Sequence, residues 1–483
     1  MELRKKIAHG LIWSAVRTLG SQGLSCLVFF LLARLLEPGD FGLVAYANIF
    51  VSLVQALIET GMTQALTQRH SIDPLHLDSA FWFNFIVGLF MTIAGIVAAP
   101  WIAAVFGVPA LTAVIRVISL IFFINPWILV QTALLQRELH FKAIAIRTIS
   151  ANLAGGFLGV LCALRGFGAW SLVIQILANT LVSAVALWQL SPWRPRLRFS
   201  LSHLRDLLGF GVNVTGTSLL GFLNNRLPQL LIGYFLGPIA LGYFNVANRF
   251  LEFARDLFYN TVIPVIFSAF SRLQKEPDKL AAHFYGALRL AALVVLPFFF
   301  GMAILSDQII YTFVGTKWLP AGPLLFVLSF GGIFQVLLSL NGSLLQATGK
   351  SGTTLIFGLA TSALATAVMV AYARDGAYVI MLQRLFLSLL FLPLNWWVLQ
   401  RWTPVTWKGY LFHIRLPLFA ATLMLLVVGL TETTVLKGWN PIAQLVLLSG
   451  LGALAYGLIV NFISPSLLGE LRTLSRELTL KQT

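Results

Sequence analysis

Charge is scarce in this sequence. Of its 483 residues only 10% are Asp, Glu, Lys or Arg, while 58% are hydrophobic. Soluble globular chains carry roughly 25% charged residues, so a soluble enzyme or soluble binding module is excluded. Acids are scarcer than bases, 17 against 33, which leaves a net charge of +16. In a soluble protein that excess would point to nucleic acid. Here most basic residues lie in short loops between apolar segments, where anionic lipid headgroups are their natural partners, and no nucleic-acid partner is expected. The 2 cysteines, Cys26 and Cys162, both sit in apolar segments, which argues against a disulfide framework and a thiolate metal centre. The 7 histidines stand at spacings unlike those of metal ligands. Walker A, GxSxG, HExxH and DxD patterns are all missing. No metal, cofactor or catalytic residue is expected.

What the chain has in quantity is long apolar runs. Runs of about 20 residues recur along its whole length, each able to cross a hydrocarbon core of roughly 30 Å as a helix. Fourteen spans are expected, from residues 10–36 to residues 441–463, separated by turn signals such as Glu37-Pro38-Gly39-Asp40, Gly166-Phe167-Gly168 and Gly237-Pro238. The N-terminal MELRKK precedes an apolar run too long for a signal-peptide core and is read as the start of a retained first helix. The fold class is an all-α polytopic membrane protein.

The chain is also doubled. Residues 31–50, LLARLLEPGDFGLVAYANIF, match residues 231–250, LIGYFLGPIALGYFNVANRF, at 7 of 20 positions without a gap. Apolar composition can match leucines; it does not readily match Pro38/Pro238, Gly42/Gly242 and Asn48/Asn248 in register. A second mark is Leu134-Leu135-Gln136 against Leu344-Leu345-Gln346. Spans 1–6 therefore match spans 7–12 as two pseudo-symmetric six-helix lobes, with two C-terminal helices added. Six spans per copy make the copies parallel, an arrangement on which transporters are built. The expected divisions are an N-terminal lobe at 1–190, a basic linker at 191–207, a C-terminal lobe at 208–400, extra spans at 401–463 and an amphipathic tail at 464–483. Loop charge gives the topology. Of the 33 Lys and Arg residues, 21 lie on the side that carries both termini and 4 on the other, which puts both termini in the cytoplasm.

The remaining 8 basic residues, all arginines, fall within spans. An Arg at membrane depth costs about 2.5–3.5 kcal/mol on insertion scales and persists where it meets a polar cavity, a partner or the interface. Arg34 and Arg289, near span ends, are read as snorkelling; Arg116 and Arg384 are open between the two fates. Arg17, Arg226, Arg249 and Arg255 belong to spans 1, 7 and 8, the spans that carry the repeat. In span 8, Arg249, Glu252, Asp256 and Tyr259 form one helical stripe. That stripe either neutralises itself or faces a water-filled cavity. Pro228 is expected to kink span 7. Glu59, the only acid within the first six spans, either pairs with Arg17 or takes up protons. Glu252 and Asp256 are the other ion-pair or coupling candidates. Gly155 and Gly159, spaced as GxxxG, are read as helix packing.

A basic N-terminus, the phrase LLARLLEPGDFGLVA, a second span rich in Asn and Gln, and LLQRELHFKAIA after span 4 together resemble Wzx-type polysaccharide flippases. These belong to the multidrug/oligosaccharidyl-lipid/polysaccharide superfamily, and the likeness is to its colanic and teichuronic acid exporter branch. The resemblance implies two six-helix lobes around a central cavity. It implies transport of an undecaprenyl-diphosphate-linked oligosaccharide across the bacterial inner membrane by alternating access, with membrane lipids, a polysaccharide polymerase and glycosyltransferases as partners of a monomeric transporter. It implies substrate contacts at cationic and polar positions of spans 1, 2, 7 and 8, here Arg17, Arg226, Arg249, Arg255, Asn48 and Asn248. Within the spans, 8 arginines stand against Glu59, Glu252 and Asp256. An excess of buried guanidinium suits pyrophosphate or acidic sugar. A multidrug exporter of the same superfamily calls for an acid-dominated cavity, and a membrane polymerase or ligase for a large extracytoplasmic loop.

Overall fold

A computed structural model describes residues 2–58, 62–68, 72–261, 263–274 and 276–463. The amphipathic tail expected at 464–483 lies outside the described residues. No strand occurs among the described residues. The helices in order are α1 (Glu2–Leu35), α2 (Pro38–Ile58), α3 (Met62–Gln68), α4 (Pro74–Phe106), α5 (Leu111–Ile118), α6 (Leu120–Ile124), α7 (Pro126–Arg137), α8 (Phe141–Leu164), α9 (Ala169–Leu190) and α10 (Leu201–Thr261). They continue with α11 (Ile263–Leu273), α12 (Pro277–Ile304), α13 (Ser306–Phe313), a 3₁₀ turn at Thr316–Ala321, α14 (Gly322–Ala347), α15 (Ser351–Ala371), α16 (Ala377–Leu390), α17 (Leu392–Trp402), α18 (Trp407–Thr434) and α19 (Pro441–Ile463).

Among the described residues, 11 helices are long and apolar enough to cross a membrane, or 12 when the bent pair Leu111–Ile124 and Pro126–Arg137 counts as one span. The shortfall from fourteen falls at two places. The described apolar part of α1 is the short stretch Gly20–Leu35. Two expected spans share α10, whose backbone leaves helical geometry at Gly237 (φ 82°). That break falls at Gly237, where glycine tolerates the left-handed region, and not at Pro228. Large side chains such as Phe90, Trp101, Phe157, Leu454 and Phe462 point outward, more than 60% exposed. In water such a surface would aggregate; against acyl chains it is the favourable one.

The chain forms two compact units, Met1–Asn245 and Val246–Thr483. In the first, α8 packs on both α1 and α9. Its glycines explain how. A Cβ on Gly155 would lie 2.7 Å from the Gln175 carbonyl oxygen of α9, and one on Gly156 would lie 2.5 Å from Val28 of α1. The GxxxG is thus a packing face. In the second unit, α12 packs on α14 and α18, and α18 on α19.

The two copies of the repeated phrase touch each other within the first unit, and they do so reciprocally. A Cβ on Gly42 would stand 1.8 Å from the carbonyl oxygen of Pro238, and a Cβ on Gly242 would stand 2.0 Å from that of Pro38. Each glycine lets the other copy's turn rest on its helix backbone. Tyr46 crosses the same seam, its hydroxyl donating to Gly233 O at 2.6 Å. Asp40, which has no acidic counterpart in the second copy, accepts from Glu37 N at 3.1 Å and from Ala169 N at 2.9 Å. It thereby caps the first turn of α9 with negative charge.

The basic linker is stitched to protein. Trp82 Nε1 donates to Arg196 O at 2.8 Å, Arg196 N to Asp78 Oδ1 at 3.1 Å, and Ser200 N to Ser79 Oγ at 2.9 Å. Arg194 donates to the carbonyls of Trp188, Ser191 and Trp193, which satisfies carbonyls at the end of α9. Leu204 and Leu207 then bury against Met62, Leu66, Leu77 and Phe81.

Both seam glycines forbid a methyl group, whereas a Cβ on Gly301 meets nothing within 4 Å. Gly42→Ala and Gly242→Ala should each cost about 1–3 kcal/mol of stability and lower the thermal midpoint of the purified protein to a similar extent. Gly301→Ala should leave it level or raise it slightly. Thermal unfolding of the three variants in detergent is the check.

Candidate functional site

The polar stripe of α10 is real and lies in the second unit. Glu252 is its centre: Oε1 accepts from Asn248 Nδ2 at 2.9 Å, and Oε2 from Arg249 Nη1 at 3.2 Å. The Arg249 guanidinium also lies over the Phe253 ring, 4.6 Å from its centroid, a cation–π contact. One turn on, Arg255 Nη2 is 3.6 Å from Asp256 Oδ1, and its guanidinium stands 5.8 Å from the Tyr259 ring centroid. The Tyr259 hydroxyl donates to Gln335 O on α14 at 3.0 Å, which ties the stripe to a neighbouring helix. All four ionic side chains are part-exposed, between 27% and 40%. They are desolvated enough to matter and open enough to be reached.

Each acid pairs with an arginine of the same helix, as a self-neutralising stripe would have it. Glu252 is matched by Arg249 and Asp256 by Arg255. The surplus comes from α16. Arg384 is close enough to Arg255 for the two guanidiniums to repel. The sequence left Arg384 open between interface and interior, because a single apolar helix gives no sign of which face another helix will cover. Three arginines therefore stand against two acids. On α14, α16 and α17, the buried atoms Asn341 Oδ1, Gln383 Oε1 and Trp396 Nε1 have no hydrogen-bond partner. Asn341 Nδ2 itself donates to Asn395 Oδ1 at 2.7 Å. Buried polar atoms left in this state are costly unless water or a ligand reaches them.

The other expected residues are placed as follows. Arg226 belongs to the first unit and donates to Gln229 Oε1 at 3.1 Å. Asn48 is half-buried on α2. Glu59 lies outside the described residues, as does the side chain of Arg17. Arg34 and Arg116 are exposed, and Arg289 is half-buried. Both cysteines are free. One grouping escaped sequence reading altogether: Asp73, His76 and His203 converge, although nearly 130 residues separate the two histidines.

Long apolar helices, with arginine–carboxylate pairs on the spanning helix Asn225–Asp256, define a multi-pass membrane protein, and the relatives it matches are transporters. The chain belongs to the polysaccharide biosynthesis protein family, whose pattern matches residues 31–323. It is 28% identical over 477 residues to the succinoglycan biosynthesis transport protein ExoT of Rhizobium meliloti, covering 98% of this chain and 96% of that one. It is 28% identical over 449 residues to the lipopolysaccharide biosynthesis protein WzxC of Escherichia coli, covering 91% and 90%. Among solved structures the fold is similar to the lipid II flippase MurJ in its inward closed conformation, with a TM-score of 0.78 at 15% identity over 95% of this chain and 100% of that one. It is also similar to an inward-facing multidrug resistance MATE transporter, with a TM-score of 0.61 at 17% identity over 83% and 95%.

Glu252 holds two partners, so its two simplest substitutions separate charge from hydrogen bonding. Glu252→Gln keeps an acceptor for Asn248 and removes the counter-charge of Arg249; Glu252→Ala removes both. The alanine variant should lose about 1–2 kcal/mol and the glutamine variant less. The order of their thermal midpoints, wild type above Gln above Ala, is the readout.

Proposed function

We propose that the protein is a flippase that carries a lipid-linked oligosaccharide across the bacterial inner membrane by alternating access, for surface polysaccharide assembly. The carrier lipid is undecaprenyl diphosphate. The observation that carries the reading is the cationic surplus of Arg249, Arg255 and Arg384 over Glu252 and Asp256, on spanning helices of a transporter fold. Guanidinium offers paired donors to phosphate and carboxylate oxygens, so the group meets the pyrophosphate or an acidic sugar while the lipid tail stays in the bilayer. Arg17, Arg226, Asn48 and Asn248 are proposed as further contacts on the headgroup's path. Glu59, Glu252 and Asp256 are proposed as the acids that balance or couple it. The kinship with ExoT and WzxC supports a polysaccharide precursor as cargo. The MATE-like fold also fits drug export, but an organic cation gains nothing from surplus arginine.

Deleting the gene should cause cytoplasm-facing lipid-linked repeat units to accumulate and surface polysaccharide to disappear. Arg255→Ala and Arg384→Ala should each cut export about 10- to 100-fold, the worth of one charge-assisted phosphate contact, with normal amounts of folded protein in the membrane. Wild-type export by both variants overturns the assignment. Resistance to drugs on overexpression, without any polysaccharide phenotype, favours the exporter instead.

The bias of loop charge supports cytoplasmic placement of both termini. A periplasm-dependent phosphatase fused after Lys437 should be active, and the same enzyme fused after Arg198 or at the C-terminus should be silent.

A further inference from the structure

The fold brings two histidines of distant sequence together where α4 begins and the linker enters α10. His76 lies in the first turn of α4 and His203 in the first turn of α10. Their rings meet edge to face with centroids 4.5 Å apart. Asp73, just before α4, completes the group: its Oδ2 is 3.9 Å from His76 Nδ1 and 3.9 Å from His203 Nε2. One donor atom from each of the three residues falls within 4.8 Å of the other two.

We propose that Asp73, His76 and His203 bind a borderline divalent cation of the Zn²⁺ type, and that the cation clamps the linker end to the start of α4. Two imidazoles and one carboxylate are the donor set that Zn²⁺ takes with three protein ligands, a water filling the fourth position. Imidazole also selects Zn²⁺ and its neighbours over Mg²⁺ and Ca²⁺, which prefer an all-oxygen shell. Bonds of about 2.0–2.2 Å put neighbouring tetrahedral donors roughly 3.3 Å apart, so the two 3.9 Å carboxylate–imidazole separations close by about half an ångström, and the histidine donors, within 4.8 Å of each other, by up to about 1.5 Å.

The surroundings are built for it. His203 Nδ1 lies 2.7 Å from Ser200 Oγ. A proton shared there leaves the Nε2 lone pair facing Asp73, the outer-shell support that ligating histidines have. Ser200 is itself held by its N–H to Ser79 Oγ, and Asp78, two residues after His76, holds the linker at Arg196 N. The His76 side chain is 5% exposed, which fixes its ring, while that of Asp73 is 68% exposed and gives the cation and its water a way in. Metal binding displaces one bond, that from Asp73 N to His76 Nδ1 at 3.2 Å.

The test uses full-length, untagged protein in detergent, stripped with chelator and titrated with Zn²⁺. Calorimetry and metal analysis after gel filtration should give one equivalent per chain, and Zn²⁺ should raise the thermal midpoint. His203→Gln, in a part-exposed position, should melt like the stripped wild type and lose both the equivalent and the shift. His76→Gln should lose the equivalent too. Ser200→Ala should weaken binding about 10- to 100-fold. His283→Ala, at an exposed histidine bonded to Lys279 O, should keep wild-type binding. Absence of stoichiometric Zn²⁺ binding by the wild type overturns the site, and so does binding that survives His203→Gln. Should His76→Gln fail to fold, the comparison of His203→Gln with His283→Ala decides alone.

Discussion

Two missing side chains govern the packing of the first unit. Gly42 and Gly242 each accept the other copy's proline carbonyl where any Cβ would collide with it. Reciprocal contact of this kind is the geometry of a two-fold relation between repeats, in which residue i meets j and j meets i. Once it is made, much else is constrained. Tyr46 is brought over Gly233, the turn at Glu37–Asp40 is set, and Asp40 is placed to cap α9. Because the contact is between backbones, no rotamer change can relieve an added methyl group.

The second constraint is electrostatic. Each charge on a spanning helix must find a partner, since water is not there to supply one. Glu252 and Asp256 each take one arginine, and Arg384 arrives from α16 without an acid of its own among these pairs. A scaffold built only for stability would balance its charges or replace them with apolar side chains. Under the proposed function, the surplus is provision for an anion that visits. Part-exposure of the four paired side chains agrees with this.

The linker shows how position changes the meaning of a basic residue. Counted along the sequence, its four arginines are lipid-facing charge. In the fold, Arg194 serves the carbonyls at the end of α9, and the backbone of Arg196 is bonded to Trp82 and Asp78. The segment is a strap fastened to α4 and α9, and the proposed cation site sits where that strap ends.

Long apolar runs, the match of residues 31–50 with 231–250, and the sign of the loop charges were legible in the sequence. They determined an all-helical membrane protein built from a repeat, because hydrocarbon allows a backbone few ways to satisfy its hydrogen bonds and helices are the one these runs fit. The stripe Asn248–Asp256 was legible for the same reason, helical spacing being fixed. Partnerships between helices were not. That Arg384 of α16 meets Arg255, that Tyr259 reaches Gln335 on α14, and that His76 meets His203 all depend on which faces are brought together. Only the tertiary structure decided those, because in an almost uniformly apolar chain helix faces are chosen by close packing of small residues, and that complementarity exists only once both surfaces are present.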